Sequence, residues 1–174
     1  KETYRKYKEC EKEKKNTNIF YLSEDIQLND TVLKKGIVIK PQHVAIMASV
    51  GKTNPLVYQK PKVGILSTGD EIIEPENKPQ PSQIRNSNGY QLMTQTYNSG
   101  AIPNYMGIVE DSEEATYEAI TKAIQANDVV LLTGGVSMGD FDFVPKIMKK
   151  AGIDIKFQKL AVQPGKPTTF GIHK

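Results

Sequence analysis

Two short apolar runs constrain the fold of this chain more than any other feature. The first is Val63–Leu66, and the second lies within Asp128–Thr133, which reads DVVLLT. Both are apolar without alternation, which is typical of strands that are buried on both faces. Strands of this kind belong to parallel sheets that carry helices on both sides, so the sequence favours an α/β fold.

The segments around these runs predict alternating helices and strands. The predicted helices are Ser87–Ser99, a helix that follows Asp111 and Ser112, and Phe143–Ala151. The further predicted strands are Tyr105–Val109, Ile153–Phe157 and Thr168–Ile172. We expect the first helix to bury Leu92, Met93, Thr96 and Tyr97, and the second to bury Tyr117, Ile120 and Ile124. Right-handed crossovers between these elements predict a mostly parallel sheet.

The chain divides into three zones by composition. We predict a charged, weakly structured segment at residues 1–18, a small β-rich segment at residues 19–60, and the α/β domain at residues 61–174. Within the β-rich segment the predicted elements are strands at Ile19–Leu22, Thr31–Leu33 and Ile37–Ile39, a hairpin turn at Lys35–Gly36 and a short helix at His43–Ser49. Pro61 marks the predicted boundary, because proline biases its predecessor away from helix.

Charge and composition exclude several classes of protein. The net charge is +3, and residues 1–15, with seven Lys or Arg and four Glu, account for all of it. The remaining residues show no basic stripe with interleaved aromatics, so we expect no nucleic-acid partner. There is neither an apolar run of about 18 residues nor an apolar signal near the start, so we expect no membrane span and no secretory signal. The single cysteine, Cys10, favours a reducing compartment such as the cytoplasm.

Three loops are expected to meet at the carboxyl ends of the parallel strands, where α/β sheets bind ligands. They are Ser67–Glu71, Gly107–Ser112 and Thr133–Asp142. Glycines let backbone N–H groups approach an anion, and carboxylates beside such a cradle indicate a bridging hard cation such as Mg²⁺. The alternative for Asp111 and Asp142 is N-capping of the helices that follow them. The turn Gln163–Pro167 either shapes a loop or directs Lys159 and Lys166 at an anion.

A second reading comes from Gly135–Gly139, which has the G-x-S-x-G pattern of a serine nucleophile at Ser137. Asp154 and His173 follow it in the chain order of α/β-hydrolases. Against this reading, Gly139–Asp142 separates Ser137 from the predicted helix, whereas the helix of a nucleophile elbow starts at the serine. The serine-hydrolase hypothesis stays open at this point.

Five motifs, in order, resemble the molybdopterin molybdenumtransferase family. They are Ser67–Glu71 (STGDE), Gln83–Asn88 (QIRNSN), Gly107–Asp111 (GIVED), Thr133–Asp142 (TGGVSMGDFD) and Gln163–Pro167 (QPGKP). The stretch Glu24–Gly51 is similar, less tightly, to the β-rich linker domain that precedes this module in the family. The resemblance implies a three-layer α/β/α molybdopterin-binding domain, of the kind shared with pterin adenylyltransferases, preceded by part of the linker domain.

The resemblance also implies an activity and a set of site residues. The family inserts molybdenum from molybdate into adenylylated molybdopterin and releases AMP, with Mg²⁺ or a similar divalent cation. The carboxylates implied to be catalytic and metal-binding are Glu71, Asp111 and Asp142. The residues implied to bind the pterin or its phosphate are Ser67, Thr68, Gly69, Asp70, Asn88, Thr133, Gly134, Gly135, Val136, Ser137, Gly139, Lys159, Pro164, Gly165 and Lys166.

The sequence departs from the family at several points. Asn86 and Gln163 stand where members often have Asp and Lys, and members are considerably longer than this chain. We therefore expect a fragment that holds the core of the site. The resemblance implies a homodimer for the full-length protein and the pterin adenylyltransferase as a partner. It also permits a scaffolding module with a vestigial pterin site, or another enzyme on the same fold.

Overall fold

A computed structural model describes residues 19–134 and 144–174. The chain divides into two compact units, Lys1–Val57 and Tyr58–Lys174. None of the helices in the described ranges has the length and apolar character needed to cross a bilayer. The segment 1–18, which we predicted to be weakly structured, lies outside the described residues.

The first unit contains one helix, α1, at Pro41–Ser49, within its described residues. Pro41 occupies the first helical position, where its fixed φ suits the helix and its missing N–H costs nothing. Nδ1 of His43 accepts a 3.1 Å hydrogen bond from the N–H of Lys40, which gives His43 a structural role at the helix start. The prediction of a short helix at this position is confirmed, and the helix begins two residues earlier than expected.

The strands predicted at 19–22, 31–33 and 37–39 are not formed in the described residues, and that prediction is wrong. Lys35–Gly36 does form a turn, but its flanking segments do not pair. The backbone bonds of this region close local turns instead, as in Glu24 N–H to Tyr21 O at 3.1 Å. Turn residues are a local signal, whereas a strand also needs a partner strand to satisfy its backbone groups.

The second unit alternates strands and helices, as the sequence predicts. In chain order its elements are β1 Lys62–Thr68, β2 Ile72–Ile73, β3 Ile84–Arg85, α2 Ser87–Asn98, β4 Ile102–Val109, α3 Glu113–Ala126, β5 Val129–Thr133, α4 Val144–Lys150, β6 Ile153–Phe157 and β7 Phe170–His173. Three of the strands form the main sheet, in the order β4–β1–β5, and both pairings are parallel. The predicted α/β class with a mostly parallel sheet is therefore confirmed.

Strand β1 is the centre of the sheet and is buried along its length after Lys62. Its two faces lie against different helices. The hydroxyl of Ser67 lies beside Gly89 of α2, whereas Gly64 lies beside Asn127 at the end of α3. Residues 64 and 67 point to opposite faces of a strand, so the sheet has a helix on each side and the second unit has three layers. Ile65 and Leu66, which are 0% and 1% exposed, fill the two interfaces.

The helices bury the predicted faces with one exception. Thr96 of α2 and Ile120 of α3 are buried, and Leu92 and Met93 are half-buried. Tyr97, which was expected in the core, is 71% exposed. It lies about 80° around the helix axis from buried Gly89, in the last turn, and so falls at the edge of the buried stripe.

The last two strands do not join the main parallel sheet, which the alternation of strands and helices predicts. β6 and β7 pair antiparallel with each other in a separate two-stranded sheet. The short strands β2 and β3 pair parallel to each other just beyond β1. Helix α4 packs against both α3 and β6, and its Val144 and Ile147 are 2% and 0% exposed.

Candidate functional site at the carboxyl ends of the parallel strands

The ends of the three parallel strands place the first predicted site residues side by side. Ser67 of β1 pairs with Thr133 of β5 on one side and with Ile108 of β4 on the other. Thr68 pairs with Val109 in the same register. Because all three strands run in one direction, the loops that follow them leave from the same edge of the sheet.

Thr68 and Gly134 are in close contact at this edge. Gly134 has a φ of +92°, and a Cβ at this position would overlap the carbonyl oxygen of Thr68 and lie 2.8 Å from its Oγ1. The side chain of Thr68 is buried, and its Oγ1 has no hydrogen-bond partner among the described residues. A buried hydroxyl without a partner costs about 1–3 kcal/mol, so this atom is a candidate donor to a ligand or to the adjoining loop.

The loop after β1 is a tight turn that carries two carboxylates. It is closed by a 3.0 Å hydrogen bond from the N–H of Ile72 to the carbonyl of Gly69. The carboxylate of Glu71 folds back over the turn, because a Cβ at Gly69 would lie 2.8 and 2.9 Å from its two oxygens. Asp70, by contrast, reaches across to the loop after β4, where its Oδ1 accepts a 3.0 Å hydrogen bond from the N–H of Asp111.

Asp111 does not cap α3. The cap is Ser112, whose side chain accepts a 3.2 Å hydrogen bond from the N–H of Ala115. The capping alternative for Asp111 is therefore wrong, and Ser112 takes that role. The carboxylate of Asp111 is exposed and accepts no hydrogen bond within the described ranges. It is thus free for a role other than capping.

The start of α2 brings another part of the chain to the same edge. Asn86 caps this helix by accepting a 3.0 Å hydrogen bond from the N–H of Gly89, and it also accepts one of 3.2 Å from the hydroxyl of Ser67. Two residues later, the amide of Asn88 donates to Oγ1 of Thr133 over 3.4 Å. Ser67, Asn88 and Thr133, all implied by the resemblance to bind the pterin or its phosphate, are therefore brought together.

Sequence reasoning missed a chain of polar side chains behind this helix start. The amide of Asn86 donates to the hydroxyl of Tyr105 over 2.8 Å, and that hydroxyl donates to Glu74 over 2.7 Å. Tyr90 donates to the other oxygen of Glu74 over 3.1 Å. An Asn directly before a predicted helix is a cap signal that could have been read from the sequence. The tyrosines and Glu74 carry no such signal.

The surroundings of these hydrogen-bonded side chains raise the pKa of the phenol groups of Tyr105 and Tyr90. For Tyr105 the main cause is burial, followed by its hydrogen bond to Glu74, since both favour the neutral phenol. For Tyr90 the hydrogen bond to Glu74 is the largest cause. Both tyrosines are therefore neutral donors at physiological pH, and Glu74 accepts from both.

The predicted turn near the end of the chain is formed and exposed. Its base is closed by a 3.0 Å hydrogen bond from the N–H of Leu160 to the carbonyl of Lys166, and Thr168 donates to the carbonyl of Gly165 over 2.7 Å. Pro164 follows a cis peptide bond, and Lys159 and Lys166 are both exposed. Over the described ranges, no hydrogen bond or ion pair joins this turn to the loops after β1 and β4.

Part of the predicted site lies outside the described residues. This part comprises Gly135, Val136, Ser137, Gly139 and Asp142. Of the three carboxylates expected to bind a cation, only Glu71 and Asp111 are therefore described. Residues 19–134 and 144–174 contain no group of three or more His, Cys, Asp or Glu side chains placed to hold a metal ion.

The serine-hydrolase hypothesis is not supported by the placement of its other two residues. His173 pairs with Ile153 across the β6–β7 sheet, and Asp154 pairs with Ile172. Directly paired residues share a face and consecutive residues do not, so Asp154 and His173 point to opposite faces. The Asp154 carboxylate instead contacts Lys156 at 2.6 Å. A catalytic aspartate must orient the histidine, and this geometry prevents it.

Comparison with known proteins agrees with this description. A family model described as "Probable molybdopterin binding domain" matches residues 64–174. The molybdopterin molybdenumtransferase of Bacillus subtilis (strain 168) is 39% identical over 152 residues, which cover 87% of this chain and 35% of that protein.

Two solved structures have a similar fold. The molybdopterin biosynthesis MoeA protein of Pyrococcus horikoshii has a TM-score of 0.70 at 34% identity, covering 82% of this chain and 35% of that one. A molybdenum cofactor biosynthesis protein of Pyrococcus furiosus has a TM-score of 0.61 at 27% identity, covering 85% and 43%. The chain spans about a third of the length of the curated relatives it matches. From the match over residues 64–174, the chain belongs to the family described as "Probable molybdopterin binding domain".

Proposed function

We propose that this chain supplies the molybdopterin-binding part of an enzyme of molybdenum cofactor biosynthesis. In this proposal the enzyme inserts molybdenum from molybdate into adenylylated molybdopterin and releases AMP, with Mg²⁺ or a similar cation. Residues 61–174 are the pterin-binding domain and residues 19–60 are part of a linker domain. The relatives named molybdopterin molybdenumtransferase support the assignment.

The observation that carries the proposal is an unsatisfied buried hydroxyl that lies among other polar groups at one edge of the sheet. The hydroxyl of Thr68 is buried and has no partner among the described residues, and it lies directly beside Gly134. Asn88 and Thr133 meet at the same edge. Hydroxyl and amide donors beside the start of a helix suit a phosphate or the polar edge of a pterin.

The carboxylates of this edge fit a divalent cation of the Mg²⁺ type. Glu71 and Asp111 are exposed, and Asp111 is free of any capping role, so both can offer oxygen ligands. Mg²⁺ is commonly bound by one or two carboxylates together with phosphate oxygens of the substrate. When bound, Mg²⁺ would neutralise charge on the phosphate and polarise the bond that is cleaved. In the proposal Asp142 is the third carboxylate.

The residues of the chain then have separate tasks. Carboxylates alone would repel a phosphate, so Glu71, Asp111 and Asp142 act only together with the cation. Ser67, Thr68, Thr133 and Gly134 to Gly139 bind and orient the pterin and its phosphate. Lys159 and Lys166, on the exposed turn around Pro164, supply positive charge towards the anionic substrates.

The test is calorimetric titration of adenylylated molybdopterin into the chain, with and without Mg²⁺. We expect Mg²⁺ to strengthen binding to the wild type and to have no effect on Asp111→Asn. Glu118→Gln changes an exposed acid on helix α3; it is the control and should behave as the wild type. In the full-length parent, Asp142→Asn should abolish adenylate cleavage and leave the fold intact. Unchanged Mg²⁺ dependence in Asp111→Asn together with unchanged turnover in Asp142→Asn would contradict the assignment.

The proposal also includes partners and location. We infer a cytoplasmic enzyme that is a homodimer in its full-length form and receives its substrate from a pterin adenylyltransferase. The first unit supports a protein partner, because Leu22, Leu28 and Leu56 are 99%, 90% and 103% exposed. The same exposure is the observation that favours a scaffolding role. If the chain binds a peptide or a subunit but does not bind pterin, the result would favour the scaffolding role.

A further inference from the structure

Asp70 links two loops of the candidate site that are far apart in the sequence. Its Oδ1 accepts a 3.0 Å hydrogen bond from the backbone N–H of Asp111, 41 residues later. Within residues 19–134 and 144–174 this is the side-chain hydrogen bond that joins the loop after β1 to the loop after β4. It therefore fixes the position of the backbone that carries the Asp111 carboxylate.

Backbone hydrogen bonds hold the chain in place on both sides of this link. On one side, the turn closed by Ile72 N–H and Gly69 O holds the backbone of Asp70. On the other, Asp111 lies between the end of β4 and the helix cap, and the N–H of Ser112 bonds the carbonyl of Glu110 over 2.8 Å. Asp111 is thus anchored through its backbone, and its side chain stays free.

The chemistry of Asp70 does not suit direct contact with a phosphate. An ionised carboxylate can only accept hydrogen bonds, and it repels an anion. A backbone N–H, however, is a partner that a carboxylate binds strongly. The resemblance places Asp70 among the pterin- and phosphate-binding residues, whereas the geometry gives it a partner within the protein.

We propose that Asp70 is a positioning residue that holds the loop after β4 so that Asp111 meets the divalent cation at the substrate phosphate. This inference rests on the proposed function, because the position of Asp111 matters only if the cation and the phosphate bind beside it. Residues that orient metal ligands in this way typically change metal affinity by about 10- to 100-fold when they are replaced.

Two substitutions separate positioning from ligation. Asp70→Asn keeps a carbonyl oxygen that can accept from Asp111 N–H, while Asp70→Ala removes the acceptor. In the presence of adenylylated molybdopterin, we expect Asp70→Asn to stay within about threefold of wild-type Mg²⁺ affinity and Asp70→Ala to lose about 10-fold or more. If Asp70 were itself a ligand through its charge, both variants would lose affinity equally, and the proposal would be wrong.

Asp128 provides a matched control. Its carboxylate also accepts a long-range backbone hydrogen bond, from Lys62 N–H over 2.7 Å, but at the start of β1, the opposite end of the strand. Asp128→Ala removes a comparable structural bond. We expect it to lower stability without changing Mg²⁺ affinity, whereas a general loss of stability would affect cation binding in both alanine variants alike.

A second measurement makes the link testable without any ligand. Hydrogen exchange of the Asp111 amide, followed by NMR, should be slow in the wild type and Asp70→Asn and faster in Asp70→Ala. Fast exchange in the wild type would overturn the loop contact itself. Slow exchange in a wild type that binds neither Mg²⁺ nor adenylylated molybdopterin would instead overturn the proposed function, and with it the role of Asp70 in cation binding.

Discussion

The phenol of Tyr105 donates a 2.7 Å hydrogen bond to the carboxylate of Glu74 and accepts one of 2.8 Å from the amide of Asn86. Tyr105 lies on β4, Glu74 follows β2, and Asn86 caps α2. One hydroxyl therefore joins three elements behind the candidate site. Because Asn86 also contacts Ser67, the connection reaches the end of β1.

We predict that Tyr105→Phe destabilises the chain. The substitution removes the donor to Glu74 and leaves Nδ2 of Asn86, a residue only 3% exposed, without its acceptor. An unsatisfied buried donor of this kind costs about 1–3 kcal/mol in the free energy of unfolding. Urea denaturation at neutral pH measures this loss.

Tyr97→Phe is the control for that measurement. Tyr97 is 71% exposed, so removal of its hydroxyl should change the free energy of unfolding by less than about 0.5 kcal/mol. Equal effects of the two substitutions would mean that the hydrogen bonds of Tyr105 contribute nothing to stability.

The raised pKa of Tyr105 predicts a loss of stability in alkali. Its pKa in the folded chain lies above the ordinary value of 10.0, so the folded state keeps the phenol proton at a pH where the unfolded state releases it. The stabilising contribution is therefore complete below pH 10 and is lost as the pH rises towards the folded-state pKa. Urea denaturation above pH 10 should show a steeper decline for the wild type than for Tyr105→Phe. Parallel declines would contradict the prediction.

The parts of the fold that sequence predicted well are set by local patterns. The apolar run after Lys62 predicted a buried strand, and β6 was predicted with the same bounds that it has in the structure. Helices α1, α2 and α4 were predicted to within about two residues, and α3 was predicted to follow Ser112, because helix periodicity and the signals at helix ends are both read locally. Parallel strands were expected to end at one edge of the sheet, and at that edge Ser67 pairs with Thr133.

The parts that sequence missed depend on contacts between distant residues. Tyr105 and Glu74 are 31 residues apart, and Tyr105 and Asn86 are 19 apart. No periodicity connects them, and only the folded arrangement of β2, β4 and α2 brings them together. The strands predicted before residue 40 failed for a related reason. A turn at Lys35–Gly36 is encoded locally, but the pairing of the segments around it is not.

Replacement of Asn86 by Asp should destabilise the chain. Asp cannot donate to Tyr105, so two carboxylates, at positions 86 and 74, would compete for one phenol proton. The carboxylate left without a donor is in a largely buried environment, and we expect a loss of about 1–3 kcal/mol in the free energy of unfolding.

Glu74→Gln should rescue this loss in part. Its amide can donate to Tyr105, which can then donate to the carboxylate at position 86, so the direction of the hydrogen bonds is reversed. A double-mutant cycle by urea denaturation measures the interaction between the two positions. Additive effects of the two substitutions would show that they are not coupled through Tyr105.

The last prediction concerns the close approach of Gly134 to Thr68. Both Gly134 and Gly100 have positive φ, at +92° and +85°, but a Cβ at Gly100 would meet nothing within 4 Å, while at Gly134 it would overlap the backbone of Thr68. Gly100→Ala should therefore cost only the backbone strain, about 1–2 kcal/mol. Gly134→Ala should cost about 1–3 kcal/mol more, because the ends of β1 and β5 must move apart. Thermal and urea denaturation of the two variants measures this difference. Equal losses of stability would mean that the backbone at Thr68 moves aside at no cost in free energy.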